Sequence, residues 1–521
     1  MRALLAAGPS GIVEVVTVPP APNPSSSSFA TTQQYFFPPS RSSYGLNAAW
    51  SISRPWRCGR LAMTSSSVMR RREGVVVVAG AQTNHVSTNS TNGAPASLLS
   101  VDGGMGGGDA TFCSHPRPPS LLVFSGGTAF NGVVEELKKF TTRVAHVLPV
   151  SDDGGSTSEI VRVLGGPAVG DIRSRCLRLS DESTSEALAV KTLLGHRLSL
   201  DECEAKAEWY EIVEGEHGLW QGVSGPYRET IRAFLVHFQT QILRHSNARF
   251  KFRSGSIGNF FFAGARIFLQ SMEAAIFLYS RVCQCPCDSL VLPAICTNDR
   301  LTLGAELQDG TIIRGQNEIS HPIVRVNDQS LDPQAVNKMK HASTALPSPI
   351  KRIFYMSCER SDLEHEVFPI VNSVVLEQLH QVDTIVYGMG SLYTSICPSL
   401  VLRGVGESIA KRKCPKVLIV NGSHDRETSG MSVSDFVLSI CDALNRKFRN
   451  DSKSSLQNLP CHYINVVLVP KGGDIPVDRA KLDALHIKTV IDVDSIVEAD
   501  VGTIFHPKSL IESLHDIVQS Y

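Results

Sequence analysis

The sequence has no surplus of charge: fifty basic and fifty acidic residues cancel over 521 positions. A balanced chain lacks the electrostatic footprint of a dedicated nucleic-acid binder, so no nucleic-acid partner is expected. Cysteine is sparse as well. Thirteen in a chain of this length are too few for a disulfide scaffold and read as reduced thiols. A long unbroken apolar run is also missing. The most apolar window, Gly258 to Tyr279, carries Arg266, Gln270 and Glu273 near its middle, where lipid tolerates charge poorly. It reads as a buried helix, and no membrane partner is expected. With 42% hydrophobic and 19% charged residues, a chain disordered throughout is excluded too.

The first hundred residues lack lysine altogether and hold only Glu14 and Glu73 as acids, against eight arginines. An Arg- and Ser-rich, acid-poor start reads as an organellar transit peptide, chloroplast first and mitochondrion as the alternative, against a tail with no address. A secretory signal fits worse, because Gly8, Pro9 and Glu14 interrupt what should be its apolar segment. From Ser87 to Pro119 the chain turns to Ser/Thr/Asn, then glycine, then proline, a linker composition. Residues 1–119 are therefore assigned to transit peptide and disordered linker, and residues 120–521 to the folded domain.

Within that domain the elements alternate. LLVF (Leu121 to Phe124) is a short buried strand that stops at Ser125-Gly126-Gly127, and Val133 to Phe140 has helical spacing. VAHVLPV (Val144 to Val150) is a second strand, followed by SDDGGST and a short helix over Glu159 to Leu164. Residues 182–255 break this rhythm with polar helical patterns such as Tyr227 to Leu243, and read as a helical insertion over one end of the core. Two alternating runs joined at Asp309-Gly310 predict a β-hairpin, placed as an edge ribbon. KRIFYMS, TIVYG, KVLIVNG and INVVLVP then resume buried strands. Strands apolar on both faces and separated by helices imply an α/β fold, with a mostly parallel sheet in a Rossmann-like three-layer αβα core.

Ligands of such sheets bind beyond the carboxyl ends of the strands, so the strand exits are where chemistry is sought. In SGGTAFNG, Gly126 and Gly127 let backbone approach an anion, and a helix beginning near Thr128 would offer its positive end; the alternative is a tight packing turn. Gly127 and Gly132 have P-loop spacing, but Val133 and Val134 stand where Lys and Ser/Thr are required, which excludes a Walker-type NTPase. In SDDGGST, the adjacent Asp152 and Asp153, followed by Gly154, Gly155 and Ser156, suit Mg²⁺ shared with phosphate oxygens; the alternative is an aspartate capping a helix. Gly170 and Asp171 open a helix with Arg173 in its first turn, where the dipole disfavours a cation, so phosphate contact and a plain Asp171 cap both stay open. YGMGSLYTS adds Gly388, Gly390, Ser391, Thr394 and Ser395, and NGSHDRETSG lies at the next exit. Four such loops on one sheet edge point to a phosphorylated ligand. Cys283, Cys285 and Cys287 lack the spacing and fourth ligand of a zinc site and read as buried thiols.

SGGTAFNG, SDDGGST, PAVGDIRS, SIGN, AELQDGTIIRGQNEIS, GMGSLYTSICPSLV and RETSG, in this order, resemble the 2-phospho-L-lactate transferase (CofD) superfamily, and most of all its YvcK-like (gluconeogenesis factor, UPF0052) branch. The resemblance covers about Ser120 to Phe505. It implies a Rossmann-like core that self-associates as a homodimer. It also implies either an Mg²⁺-dependent transferase, moving a phospholactyl-type group from a nucleoside-diphosphate-linked donor to the hydroxyl of a deazaflavin-like acceptor, or a regulator of carbon metabolism that holds a nucleotide sugar without turnover. By the same resemblance, the glycine loop Gly126-Gly127-Thr128 faces the diphosphate, and Asn131 is a further ligand-binding candidate. Asp152 and Asp153 act as the catalytic, metal-holding pair. Gly258-Asn259 and Gly390-Ser391 line the nucleotide pocket. Ala129, Gly255 and Met431 depart from the family's usual residues.

Overall fold

The computed structural model describes residues 117–152, 154–245, 249–321, 345–357, 365–446, 456–499 and 501–521. The leader and linker assigned to residues 1–119 lie outside these apart from their last three positions, and so does Asp153.

β1 (Leu121–Phe124) and β2 (Val144–Leu148) are buried along their whole length, as their unbroken apolar runs require of strands covered on both faces. Between them the chain makes one 3-10 turn over Phe130–Gly132 before α1 (Val134–Phe140). The helix matches the Val133 to Phe140 spacing to within one residue, but its positive end lies six residues beyond the position near Thr128 also expected from sequence, because the exposed Thr128 and Ala129 stay in the turn. α2 (Gly155–Leu164) and α3 (Gly170–Leu179) follow β2. Residues 182–255 hold α4 (Ser185–Gly195), α5 (Glu202–Glu214) and α6 (Gly225–Arg244). They pack through Trp209 and Phe238, whose rings meet edge to face 5.8 Å apart, with Phe260 against both. The window read as one buried helix is two, α7 (Ile257–Leu269) and α8 (Met272–Val282). Gln270 turns left-handed at φ 54°, and the Ser271 side chain then caps α8 by accepting from Ala274 N. Arg266 is buried and donates to Gly165 O. No helix among the described residues is long and apolar enough to cross a membrane.

β3 (Leu290–Pro293) closes the first half of the main sheet. The chain then leaves that sheet for β4 (Thr302–Leu307), β5 (Ile312–Arg314), α9 (Gln316–Ser320), β6 (Ile350–Ser357) and β7 (His365–Val367). These four strands form a separate antiparallel sheet in the order β5-β4-β6-β7. The hairpin at Asp309-Gly310 does occupy an edge, that of the second sheet. KRIFYMS, assigned from sequence to the parallel sheet, is instead the partner of β4. A buried apolar run does not say which sheet buries it.

The second half returns through α10 (Ser373–Gln381), β8 (Thr384–Tyr387), a π-helical turn over Leu392–Ile396, α11 (Cys397–Leu400), α12 (Val405–Ala410) and β9 (Lys416–Ile419). It continues with α13 (Val433–Leu444), β10 (Val466–Pro470), α14 (Arg479–Ala484) and β11 (Thr489–Val493). It ends in a ribbon of β12 (Ser495–Glu498) and β13 (Gly502–Phe505) and the closing α15 (Pro507–Ser520). The main sheet has seven strands in the order β11-β10-β9-β8-β1-β2-β3, every pair parallel. Strand order runs outward in both directions from the β1/β8 pair. That pair is the topological switch point, where the connections part and leave a crevice beyond the strand ends.

Candidate functional site at the switch point

The registers Phe124↔Val147, Phe124↔Tyr387 and Tyr387↔Leu418 bring the exits of β2, β1, β8 and β9 to one level. The four loops singled out from sequence are therefore adjacent. Gly126 and Gly127, from β1, are buried. A Cβ on Gly126 would stand 2.6 Å from Ser395 Oγ, and one on Gly127 would fall on the Asp171 carboxylate, 3.1 Å from its Cα. Across the switch point Gly390 has φ 144°, and a Cβ there would meet Ser395 Cβ at 3.2 Å. Ser395 is thus wedged between the glycines of two strand exits. The Gly390 backbone is further clamped by Asn421 from the β9 exit, which accepts from its N–H (3.1 Å) and donates to its carbonyl (2.9 Å).

Beneath this loop lies Arg175, wholly buried on α3. It donates to Asn131 Oδ1 (2.7 Å), His146 Nδ1 (2.8 Å), Ser125 Oγ (3.2 Å) and the Gly126 carbonyl (2.9 Å). All four acceptors are neutral. Burial lowers its pKa to about 10, with Asp171 pulling the other way, so it stays a cation at neutral pH. Burial first, and the Arg175 charge second, hold the His146 pKa well below the usual imidazole value, which leaves a neutral ring able to accept at Nδ1. Because Arg175 takes the Gly126 carbonyl, the N–H of Gly127 in the same trans, planar peptide points the opposite way.

The other sequence-derived candidates divide into two groups. Asp152 is half-buried, and its Oδ1 accepts from Gly154 N at 3.0 Å, an Asx turn leading into α2. Gly155 adopts φ 57° in open space and Thr128 is exposed. Ser391 precedes the π turn, half-buried. These, with Gly126, Gly127, Gly390 and Asp171, sit at the crevice. The remainder are held by protein groups. Asn131 is occupied by Arg175 and Ser174. Gly388 packs on Phe130, Gly258 on Tyr279 and Arg173, and Gly170 on Thr157. Ser156 and Arg173 both bond to Asn259.

Thr394 belongs to a network that sequence reading did not single out. Glu427, of RETSG, is fully buried. One of its oxygens accepts from Ser320 Oγ (2.5 Å) and Thr394 Oγ1 (2.6 Å), and the other from the N–H groups of Tyr393 (2.9 Å) and Thr394 (3.2 Å). It ties α9 of the second sheet to the π turn that carries Ser395. Burial, then the nearby Asp425, push its carboxyl up to about 7 against these hydrogen bonds. Both it and Arg175 stand in motifs visible in the sequence. No local signal marked them out, because the burial of each depends on partners distant in sequence.

A doubly wound parallel sheet with glycine-bearing exits on both sides of its switch point defines a Rossmann-like αβα protein. Residues 121–507 match the family model described as 2-phospho-L-lactate transferase CofD, and the chain belongs to that family. It is 35% identical over 428 residues to an uncharacterized protein of Saccharomyces cerevisiae, covering 71% of this chain and 94% of the other. It is 26% identical over 386 residues to a gluconeogenesis factor of Halalkalibacterium halodurans, covering 74% and 92%. Among solved structures, a UPF0052-family protein of Bacillus halodurans superposes with a TM-score of 0.52 at 23% identity, covering 76% of this chain and 99% of that one. The relatives named gluconeogenesis factor place it in the YvcK-like branch.

Proposed function

We propose that the protein is a CofD-like transferase. It would hold a nucleoside-diphosphate-linked donor at the switch point and pass a phospholactyl-type group to the hydroxyl of a second substrate, such as a deazaflavin-like acceptor. The observation that carries this reading is the glycine loop clamped from below by the buried guanidinium of Arg175, whose hydrogen-bond acceptors are all neutral. Arg175 fixes the Gly126 peptide so that the Gly127 N–H faces away from it, and its charge favours an anion on the loop. A Cβ at Gly126 would strike Ser395 and one at Gly127 would strike Asp171, so the two glycines let the loop lie against the π turn and α3 at the edge of the crevice.

Mg²⁺ fits the donor set. Asp152 and Asp171 bring carboxylates to this edge, and Asp153 follows in sequence. Such carboxylates suit an ion that takes one or two of them and completes its shell with phosphate oxygens and water. When bound, Mg²⁺ supplies neutralisation of the diphosphate charge. The acceptor oxygen attacks the distal phosphorus, the pyrophosphate bond breaks, and a nucleoside monophosphate leaves. The chain contributes positioning and a fixed positive field, which is what such a transfer needs most. The acceptor's proton passes to solvent or to a carboxylate of the crevice.

The name gluconeogenesis factor, carried by several relatives, favours a second reading, a nucleotide-sugar-binding regulator without turnover. Thermal shifts with GDP, UDP and UDP-sugars, with and without Mg²⁺, followed by an assay for nucleoside monophosphate released from a GDP-linked donor in the presence of a deazaflavin, separate the two. Tight UDP-sugar binding without release of monophosphate would overturn the transferase reading.

A further inference from the structure

Three helix N-termini meet beside the glycine loop. Ser156 Oγ, in the first turn of α2, accepts from Asn259 Nδ2 of α7 at 2.9 Å. Asn259 Oδ1 accepts from Arg173 Nε of α3 at 2.8 Å. Gly170, the first residue of α3, lies so close to α2 that a Cβ would stand 2.8 Å from Thr157 Oγ1. These helices have 10, 10 and 13 residues, long enough for the unsatisfied N–H groups and aligned dipoles of each end to present partial positive charge.

Converging N-termini alone would not make a site, but Arg173 adds an independent feature. It is a cation in the first turn of α3, only 7% exposed, where the dipole disfavours it. Asn259 takes its Nε, and its two terminal nitrogens donate to no described residue. A second guanidinium approaches from the segment between α4 and α5. Arg197 is held by an antiparallel bridge to Ser256, the N-cap of α7, and donates to Ser254 O at 3.3 Å. It is exposed at the rim, and partial burial together with the Arg173 charge lowers its pKa. Neither arginine has a carboxylate partner among the described residues. The described acids of this edge are engaged elsewhere: Asp152 accepts from Gly154, and Asp171 lies against Gly127. Two like charges set together against three positive helix ends, without an anion, are unfavourable until an anion joins them.

We propose that Arg173 and Arg197, with the first turns of α2, α3 and α7, form an oxyanion subsite separate from the glycine loop, and that the segment joining α4 to α5 is there to supply its second cation. Residues two apart on a helix point about 200° apart, so Arg173 faces away from Asp171 and Arg175, which serve the glycine loop. The ligand is a small phosphate or carboxylate group. Its assignment to the donor rests on the transferase reading, in which the transferred phospholactyl-type group carries a carboxylate that must be held while the pyrophosphate bond breaks.

The test is isothermal titration of the full chain with orthophosphate and, separately, with lactate, before and after saturation with GDP. One equivalent of at least one anion is expected to bind to the GDP-loaded protein. Arg197→Gln, at an exposed position that should fold, is expected to weaken that binding about fivefold or more, a larger loss than it causes for GDP. Arg173→Lys, which keeps the charge and loses the bond to Asn259, should weaken it less than Arg173→Met. Binding of phosphate alone would identify a phosphate source, and of lactate alone a carboxylate. The subsite is refuted if Arg197→Gln binds both anions like wild type, or if wild type binds neither up to about 20 mM, a limit set by the millimolar affinity of a single small ion. If GDP does not bind while anion binding still depends on Arg197, the nucleotide reading fails and the subsite stands.

Discussion

Gly127→Ala is the perturbation that best separates close approach from a merely convenient turn. Gly127 does not adopt a positive φ, so an alanine there meets no backbone strain. What it meets is α3: the new methyl would fall on the Asp171 carboxylate and lie 2.9 Å from its Cγ and 3.1 Å from its Cα. The carboxylate can rotate away, but the Cα cannot, so loop and helix must separate by a few tenths of an ångström. Overpacking of this kind destabilises by about 1–3 kcal/mol. Asp171→Ala removes the mobile part of the clash and leaves the backbone part. The double variant should therefore be more stable than the two single losses predict, by about 1 kcal/mol for groups in direct contact. Urea denaturation of the four proteins gives this coupling from the midpoints, provided the slopes agree. GDP affinity, measured at a temperature where all four are folded, gives the functional half. It should fall in Gly127→Ala and stay low in the double variant, because loop spacing and the Asp171 carboxylate are both altered. Additive stabilities with unchanged GDP affinity would refute both the close approach of loop and helix and the assignment of the crevice.

Four further outcomes are expected. Arg175→Met leaves the acceptors on Asn131, His146, Ser125 and Gly126 without their donor and should destabilise by about 3 kcal/mol or more, with Arg175→Lys intermediate in urea midpoint yet as weak as Met in GDP affinity. The Glu427 carboxyl, pushed up to about 7 from an ordinary value near 4.3 when unfolded, favours the fold fully below that ordinary value and loses this as pH rises through about 7. Glu427→Gln should therefore be more destabilising at pH 5 than at pH 8, by on the order of 3 kcal/mol in urea titrations, and the opposite order would mean the four hydrogen bonds outweigh burial. Asp152→Asn and Asp153→Asn should each abolish the Mg²⁺ dependence of GDP binding while stability changes by no more than about 1 kcal/mol, and wild-type titrations with and without Mg²⁺ in both variants would refute the metal assignment. Sequencing the N-terminus of the native protein from isolated chloroplasts should place it between Arg60 and Pro119, and an intact Met1 end in the cytosol would defeat the targeting expectation.

The strands of the main sheet were legible because LLVF, VAHVL, TIVY and VVLVP are dominated by apolar residues facing both ways, and each is buried at every position, as a sheet covered on both faces requires. Their exits were legible for the same reason: a glycine pair or an aspartate after such a run is a change of composition that local reading detects. What was not legible depends on contacts distant in sequence. β6 has the composition of a core strand, but its partner is β4, 43 or more residues earlier, and nothing local says that the pair leaves the main sheet. The break at Gln270 was hidden because a non-glycine residue takes the left-handed conformation there. Asn131 looked like part of a ligand loop, although a residue 44 positions later occupies its oxygen. Glu427 is the sharpest case. Its four hydrogen bonds come from residues 33 to 107 positions away, so only the folded chain shows it to be buried.

α3 gives these separate features a common geometry. Asp171 and Arg175 are four residues apart and share the face that meets the glycine loop, where the guanidinium holds the Gly126 carbonyl and the carboxylate lies against Gly127. Arg173, between them in sequence, faces the other way and bonds to Asn259 of α7. One ten-residue helix therefore stands between two positively biased surfaces, and their separation is fixed by its rigid backbone rather than by a loop. A donor spanning both would be gripped at its diphosphate and at its far anionic group across a constant distance, which strains or aligns the bond between them without any motion of the protein. The second grip depends on Arg197, so removing that arginine should lower the rate of transfer by more than it lowers affinity for the free nucleoside diphosphate. A nucleotide sugar with no second anion could use only the glycine-loop face, and its binding would then be insensitive to Arg197.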